Sequence, residues 1–239
     1  MEEQDQQATD IRQQITQQIT ALNLYKHTLD RLPGYRYNKQ RCSVNLSHLS
    51  INGNVAIMGQ VNIRELKLYF NKITHIEFIK SLSELEDIDL YRNPLRYLPD
   101  FDKCYKLKKI NCSWTNIDMF PSFPSYMPLE IINCSWTNIK SLEPLCGIKS
   151  LKIINAECCE NLKDISYLFR EIKTGFFTKL FHKPDGIKRM KCVLPNLWHL
   201  IISTEHLDGY SKYIINGILN GSIRLNRTMR INGMWVGDY

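Results

Sequence analysis

The sequence lacks a long apolar segment. No stretch of its 239 residues approaches the roughly 18 to 20 uncharged apolar residues of a membrane span. The first ten residues, MEEQDQQATD, are acidic and rich in glutamine, whereas a secretory signal begins with a basic region followed by an apolar core. We therefore expect no transmembrane segment and no cleaved signal, and we expect the protein to act inside the cell, in the cytoplasm.

The sequence also lacks the common motifs of catalysis. It contains no Gly-rich phosphate loop, no G-x-S-x-G or H-E-x-x-H motif and no paired C-x-x-C. His199, Glu205 and His206 come nearest to a metal-ligand set, but His199 falls within a predicted strand and the other two lie beyond its end. Groups of this kind more often lie at a surface without a metal. We therefore predict that the protein is not an enzyme and has no cofactor and no bound metal.

Cysteine is present, but not in the pattern of a small disulfide-stabilised domain. The eight cysteines are Cys42, Cys104, Cys112, Cys134, Cys146, Cys158, Cys159 and Cys192. In a chain without an export signal such residues stay reduced. Because free cysteine is among the most buried residue types, we interpret them as small core residues. A metal-binding or redox role is the alternative.

An internal repeat dominates the middle of the chain. The octapeptide INCSWTNI occurs at 110–117 and again, 22 positions later, at 132–139. Extended in both directions, it follows the frame L-x-x-L-x-L-x-x-N-x-L. The residues at the Asn position of successive copies are Asn54, Asn71, Asn93, Thr115, Thr137 and Cys159. The first copy is thus placed at 46–54, and the step from Asn54 to Asn71 is shorter than the four equal steps after it. After an interruption, a seventh copy is placed at 197–207.

The frame has a direct physical interpretation. Two apolar residues separated by one other residue lie on the same face of a β-strand, so L-x-L predicts a short strand in each copy. Cys112 and Cys134 fall at a core position of this strand. The amide of the Asn can bond backbone groups of neighbouring turns. Thr115 and Thr137 retain part of this capacity, and we expect Cys159 to retain little.

This repeat resembles the leucine-rich-repeat family, and its spacing is similar to that of the short intracellular type found in phosphatase regulators and spliceosomal proteins. The resemblance covers 46–168 and extends to 194–207. It implies an α/β solenoid, with a curved sheet of parallel strands, an N-terminal helical cap and a C-terminal cap. Pro99 and Pro121 favour extended or turn-like segments after the strands rather than full helices. The usage of Ile, Lys and Asn is similar to that of leucine-rich-repeat proteins of large DNA viruses of protists or of their hosts, which would place the protein in a host cytoplasm.

The chain divides into four predicted segments. Residues 1–41 are expected to form an N-terminal helix or cap, because isoleucines and a leucine recur on one helical face over 10–24. A projecting helix that docks to a partner is the alternative. Residues 42–168 hold the repeats, 169–193 form a basic amphipathic insertion, and 194–239 hold the last repeat and a C-terminal cap. A helix over 213–219 and a strand or loop beyond Gly221 are expected in this last segment.

The insertion and its flanks carry most of the net charge. Between 163 and 191, eight basic residues stand against three acidic ones, which supplies +5 of the formal net charge of +7. Ile165, Leu168 and Phe169 have helical spacing, and Gly175 favours a break. The residues of the predicted basic patch are Lys173, Lys179, Lys183, Lys188, Arg189 and Lys191. Such a segment binds nucleic acid or a membrane surface, or it packs its apolar face on the domain and leaves its lysines in water, which is the more common outcome.

An aromatic and arginine stripe crosses neighbouring repeats on the side that the resemblance makes concave. The predicted binding residues there are Tyr69, Phe70, Asp89, Tyr91, Arg92, Asn111, Trp114, Asn133 and Trp136. Strands about 4.8 Å apart bring such rings within contact, and Trp, Tyr and Arg dominate hot spots of protein interfaces. The alternative is that Trp114 and Trp136 only pack on each other and shield the repeat.

Three functions are compatible with these patterns. The first, which we predict, is a non-enzymatic adaptor that binds a protein partner through the concave face. The second is a structural or assembly component that contacts a larger complex through the insertion and the N-terminal helix. The third is binding of nucleic acid or a membrane surface through 163–191.

Overall fold

Fifteen short strands make up most of the regular structure. The computed structural model describes residues 36–38, 42–57, 63–78, 82–171, 188–220, 223–225 and 229–236. The strands in these ranges are β1 (Arg36–Asn38), β2 (Ser43–Asn45), β3 (Asn52–Ile57), β4 (Glu65–Lys67), β5 (Lys72–Phe78), β6 (Asp87–Asp89), β7 (Lys109–Asn111), β8 (Ile131–Asn133), β9 (Ile153–Ala156), β10 (Phe169–Glu171), β11 (Lys188–Cys192), β12 (His199–Ile202), β13 (Ile223–Leu225), β14 (Met229–Ile231) and β15 (Met234–Val236). Within the same ranges one α-helix, α1, spans Gly209–Leu219, and 3-10 helices span Glu143–Leu145 and Ser166–Leu168.

Ten of the strands form one sheet in the order β1-β2-β4-β6-β7-β8-β9-β12-β14-β15. Pairing is parallel from β2 through β14 and antiparallel only where β1 and β15 join the two ends. Successive turns therefore wind in one direction and add one strand each. The part of the expected fold class that the structure confirms is a solenoid of parallel β-strands.

The register of the sheet is uniform from β2 to β9. Val44 pairs with Leu66, Leu66 with Ile88, and each later strand continues at the same interval. The predicted short step and the first copy at 46–54 are therefore wrong. The strand of the first repeat is β2, Ser43–Asn45. Ile51 follows this strand at the position that Ile73 has in the next repeat. The frame was misplaced because Leu49 and Ile51 satisfied the L-x-L spacing, whereas the actual core pair of this strand is Val44 and Leu46.

The core lies between the sheet and the segments that return from one strand to the next. In β2, β4, β6, β7 and β8 the central residue and the residue two positions later are buried, as Leu66 and Leu68 are. Cys112 and Cys134 take the second of these two positions and are fully buried. The interpretation of these two residues as core thiols is therefore confirmed. Burial raises the pKa of the Cys112 thiol far above its ordinary value, and a hydrogen bond with Cys159 together with burial does the same at Cys134.

The Asn position of the repeat forms the predicted ladder inside the bend. The amide oxygen of Asn71 accepts hydrogen bonds from the backbone N–H groups of Leu49 and Ile51, and its amide nitrogen donates to the carbonyl groups of Leu46 and Leu68. These bonds satisfy backbone groups of two successive turns, which a buried irregular segment otherwise leaves unpaired.

The ladder continues where the Asn is replaced. Thr115 donates to the Cys112 carbonyl at 2.7 Å, and Thr137 donates to the Cys134 carbonyl at 2.6 Å. The thiol of Cys159 also donates to the Cys134 carbonyl, at 3.1 Å. Cysteine therefore takes part in the ladder more fully than the sequence suggested.

The segments between strands are extended or 3-10. Between β6 and β9, a stretch that is described without a gap, the sole helical element is the 3-10 turn Glu143–Leu145, as Pro99 and Pro121 predicted. β3 and β5, which follow β2 and β4 along the chain, form a separate two-stranded parallel sheet. Asn54, predicted as a ladder residue, lies instead on β3 and is exposed.

The C-terminal part of the chain continues the sheet. β12 pairs in parallel with β9, with His199 opposite Ile153, so the seventh copy of the repeat is confirmed as a strand. Helix α1 begins at Gly209, earlier than predicted, because the Asp208 side chain accepts a hydrogen bond from the Ser211 N–H at 2.6 Å and caps it. No helix within the described ranges is long and apolar enough to cross a bilayer.

The described parts of the insertion are strands. Helical spacing from Ile165 predicted a helix there, but the chain forms a 3-10 turn and then β10, which pairs antiparallel with β11. A third strand, β13, pairs with β11 in parallel. The apolar pattern had a different cause, since Ile165, Leu168 and Phe169 are all buried in the core of the solenoid. The predicted N-terminal helix over 10–24 and residues 172–187 lie outside the described residues.

Candidate binding surface

The six repeats from β2 to β9 leave their strands through the same left-handed turn. One residue in each turn has φ between 54° and 58°. These residues are His48, Phe70, Arg92, Trp114, Trp136 and Cys158. Glycine adopts this conformation at the lowest cost, whereas for an L-residue it costs roughly 1–2 kcal/mol. None of the six positions holds glycine, which indicates that their side chains have a role.

Hydrogen bonds at the strand end fix this turn. The Tyr91 N–H donates to the Asp89 carboxylate at 3.0 Å, and the Ser113 N–H donates to the Asn111 side-chain oxygen at 3.2 Å. Asn133 makes the equivalent bond with Ser135 at 3.1 Å. These are Asx turns, in which a side-chain oxygen replaces a backbone carbonyl. Asp89, Asn111 and Asn133, predicted as binding residues, thus also hold the turn in place.

The N–H of the left-handed residue joins one repeat to the next. Phe70 donates to the Tyr91 carbonyl at 2.9 Å, and Trp114 donates to the Ser135 carbonyl at 3.0 Å. Because neighbouring strands are about 4.8 Å apart, the six left-handed residues stand in line at nearly the stacking distance of aromatic rings.

Five of these residues form a continuous stack, which we call the stacked column: His48, Phe70, Arg92, Trp114 and Trp136. The His48 and Phe70 ring centroids are 4.6 Å apart, and those of Trp114 and Trp136 are also 4.6 Å apart, with interplanar angles of 17° in both pairs. The Arg92 guanidinium lies between them, 4.9 Å from the Phe70 centroid and 5.9 Å from the Trp114 centroid. Stacking and cation–π contacts therefore connect the whole column.

Two tyrosines border the column on the side of the strands. Tyr69 meets His48 edge to face with ring centroids 5.2 Å apart, and Tyr91 meets Phe70 in the same way, also at 5.2 Å. Trp114 and Trp136 remain 45% and 49% exposed despite their mutual contact. The result is an exposed, laterally supported aromatic surface whose side chains are already ordered.

Charged residues lie beside the column on the strands nearer the N-terminus. Burial raises the pKa values of the Asp87 and Asp89 carboxyl groups, and the hydrogen bond from Tyr91 and the charge of Lys67 partly offset this effect at Asp89. Lys67 pairs with Glu65 at 3.0 Å, and Lys109 lies 3.8 Å from Asp87. The face thus changes from two charged residues on each of β4 and β6 to one lysine and one asparagine on β7 and to an isoleucine and an asparagine on β8.

The structure places all nine predicted stripe residues on this surface, in three distinct arrangements. Phe70, Arg92, Trp114 and Trp136 belong to the column, the two tyrosines border it, and the other three hold the turns. The prediction missed His48, because the misplaced first copy assigned Gly53 to this position. The signal was present, since His48 precedes Phe70 by one full repeat.

The predicted basic patch is described only in part. Lys188, Arg189 and Lys191 lie on β11, whereas Lys173, Lys179 and Lys183 lie outside the described residues. The strand register places Arg170 opposite Lys191 and Arg189 opposite Arg224. Basic positions from three segments of the chain are therefore adjacent in this small sheet.

Other chemistry is sparse on the described part of the chain. Across it, no group of three or more His, Cys, Asp or Glu side chains is arranged to hold a metal ion. The pKa of His199 is lowered by burial and by the charge of Arg230. All eight cysteines are free thiols, and burial raises the pKa of Cys104 to about 12. The stacked column is therefore the candidate functional surface of the described chain.

The chain was also compared with known proteins. No protein-family model matches the sequence, and no curated protein gives a significant match.

Proposed function

We propose that this chain is a leucine-rich-repeat protein of the short intracellular type that binds a partner protein, without catalysis, through the stacked column and the sheet face beside it. In this proposal β1 and β15, which join the two ends of the sheet, belong to the caps of the solenoid. The single observation that supports it best is the left-handed turn, which keeps large side chains where glycine would be less costly.

The composition of the surface supports a protein partner. Trp, Tyr and Arg are the residue types that contribute most to protein interfaces, in particular where neighbouring groups hold them in place. Here the stacking of Trp114 on Trp136 and of Arg92 on both neighbours reduces the side-chain freedom that binding would otherwise remove. A partner therefore does not have to order these side chains on binding, a step that would cost about 0.5–1.5 kcal/mol for each large side chain.

The test compares two double variants in affinity capture from a cell lysate. Trp114→Ala/Trp136→Ala removes the two tryptophan rings of the column, which are 45% and 49% exposed. Tyr97→Ala/Tyr105→Ala removes two aromatic residues that are equally exposed, at 53% each, but lie in the segments between strands. We expect loss of a discrete protein partner with the first variant and retention with the second, in both low and high salt. Equal capture by wild type and both variants would refute the proposal.

The same experiment separates the proposal from binding through the basic segment. Association with an anionic surface weakens steeply as salt rises, because counterions compete for the phosphates. Capture that survives the tryptophan substitutions but is lost in high salt, and on neutralising Lys188, Arg189 and Lys191, would move the site to the sheet that contains β11.

A further inference from the structure

The stacked column ends at Trp136, although the turn that forms it continues. Cys158 is the next residue of the series, one full repeat later, and has φ of 55° like the others. Its side chain ends at Sγ and is much shorter than an indole. Its N–H donates to the Ser203 hydroxyl at 2.8 Å instead of to a backbone carbonyl. The position that would hold the sixth ring is therefore occupied by a small, half-buried thiol.

One face of the Trp136 indole is consequently left without a stacking partner. Trp114 stacks on the opposite face at 4.6 Å, and within the described part of the chain no other ring or guanidinium stacks on Trp136. Beyond Cys158 the sheet register leads to Thr204, on the turn after β12, because Ala156 pairs with Ile202. The space of a sixth ring, between the indole and this turn, thus contains the short side chain of Cys158 in place of a ring.

The column itself indicates which chemical group suits such a space. At its third position an arginine takes the place of a ring, and its guanidinium is held 4.9 Å from Phe70 and 5.9 Å from Trp114. A planar cation is therefore compatible with the spacing that the strands impose. Cation–π attraction is strongest for the indole of tryptophan among the aromatic side chains.

An acidic residue, Glu157, belongs to the repeat next to the open face. The Trp136 N–H donates to the Glu157 carbonyl at 2.9 Å, so Glu157 lies directly opposite Trp136 in the adjacent repeat. Glu157 occupies the position, relative to Trp136, that Tyr91 occupies relative to Phe70, and Tyr91 contacts that ring edge to face. The Glu157 side chain is exposed, and among the described residues no basic group is within ion-pair distance of it.

From this arrangement we infer that Trp136, Glu157 and the short side chain of Cys158 form a subsite for an arginine side chain of the partner protein. The guanidinium stacks on the open face of the Trp136 indole and pairs with the Glu157 carboxylate, which extends the column by one external cation. The inference rests on the proposed function, because it names the chemistry of the partner at one end of the same surface.

The test follows the tryptophan indole signals in ¹H–¹⁵N correlation spectra. The chain has four tryptophans, so four indole signals are expected, and Trp136→Phe identifies one of them. The probe is N-acetyl-arginine amide, with N-acetyl-citrulline amide as the uncharged isostere and N-acetyl-tyrosine amide as the aromatic competitor. We expect the arginine probe to shift the Trp136 signal with saturation and the other two probes to shift it less. An equal or larger response to either control would overturn the inference.

Three substitutions test the geometry. Glu157→Gln should weaken arginine binding by about two- to fivefold, the range for an exposed ion pair, whereas Glu160→Gln, an exposed acid nearby in the same turn, should not. Cys158→Trp should abolish the response because the new indole fills the space; Trp114 and Trp136 show that the turn accepts tryptophan. The subsite would be wrong if the Trp136 signal still responded to the arginine probe in Cys158→Trp, or if Glu157→Gln bound the probe as tightly as the wild type.

Failure of this inference can be told apart from failure of the proposed function. If partner capture is lost with Trp114→Ala/Trp136→Ala but is unaffected by Glu157→Gln and Cys158→Trp, the surface binds a protein and the arginine subsite is wrong. If the Trp136 signal responds to the arginine probe in the expected way but capture never depends on the tryptophans, the subsite stands and the proposed function fails.

Discussion

Replacing Trp114 by glycine should leave the protein more stable than replacing it by alanine. Both variants lose the stacking with Trp136 and Arg92, a loss of about 0.5–1.5 kcal/mol per aromatic contact. Alanine retains the Cβ atom and with it the cost of the left-handed conformation at φ 56°, roughly 1–2 kcal/mol, which glycine does not incur. Glycine in turn loses about 0.5–1 kcal/mol through the greater freedom of the unfolded chain. The difference should favour glycine by about 0.5–1 kcal/mol, the reverse of the usual order.

The assay is urea denaturation monitored by far-ultraviolet circular dichroism, since a change in midpoint at constant m-value reports a change in the free energy of unfolding. Tyr97 provides the matched control. It is an exposed aromatic residue outside the left-handed positions, so that Tyr97→Gly should be less stable than Tyr97→Ala. If the Trp114→Ala variant were as stable as the Trp114→Gly variant, or more stable, the left-handed turn would not impose strain on an L-residue. If the stacked column binds the partner, both Trp114 variants should lose that partner to the same extent.

Two further predictions concern the ladder and the charged strands. Asn93→Ala should lower the free energy of unfolding by about 2–4 kcal/mol, because it removes the partner of the Ile73 N–H and of the Leu90 carbonyl, whereas the Leu68 carbonyl keeps its bond from Asn71. Asn93→Thr should lose about half as much in urea denaturation, and equal losses would mean that Thr does not serve as a partial replacement. Asp89→Asn should raise the thermal midpoint at pH 7, since Asn retains an oxygen for the Tyr91 N–H and removes a half-buried charge. The pKa of Asp89 is raised in the folded state, so that the charged form costs stability at every pH above that pKa and the cost disappears as the pH falls through it. The gain should therefore vanish at a pH well below that pKa, and a gain that persists there would show that charge is not its cause.

The sequence predicts the sheet well because each of its constraints is local and periodic. The apolar pair of each strand and the Asn, Thr or Cys of the ladder recur at a constant interval, and β6 to β9 lie where the frame places them. The same local constraints also explain why the first copy of the repeat was misplaced. Its ladder position is Leu49 and its strand is centred on the less typical Val44, so that the frame fitted better when it was placed further along the chain, with Asn54 as the ladder residue.

The candidate surface was only partly predictable. The aromatic residues are visible in the sequence, but the left-handed turn is not, because Phe, Arg and Trp are poor indicators of positive φ. The stacking order follows from that turn, and so does the inclusion of His48. The dual role of Asn111 and Asn133 could not be seen either, since an amide on a strand is equally consistent with a binding residue and with the start of an Asx turn.

The constant period of the repeat also explains why the open end of the column lies at Trp136. In this sheet any residue type that recurs at the period is brought within about 5 Å of its copies, which converts repetition in sequence into a continuous stack in space. The stack can continue only while the period holds. After β9 the next strand of the sheet is β12, with His199 opposite Ile153, and the chain between them enters the small sheet of β10, β11 and β13. Cys158 lies in the last turn before this break, and its side chain is too short to stack, so the last ring of the column is that of Trp136. The indole face that remains uncovered there is the place where an external group can complete the stack.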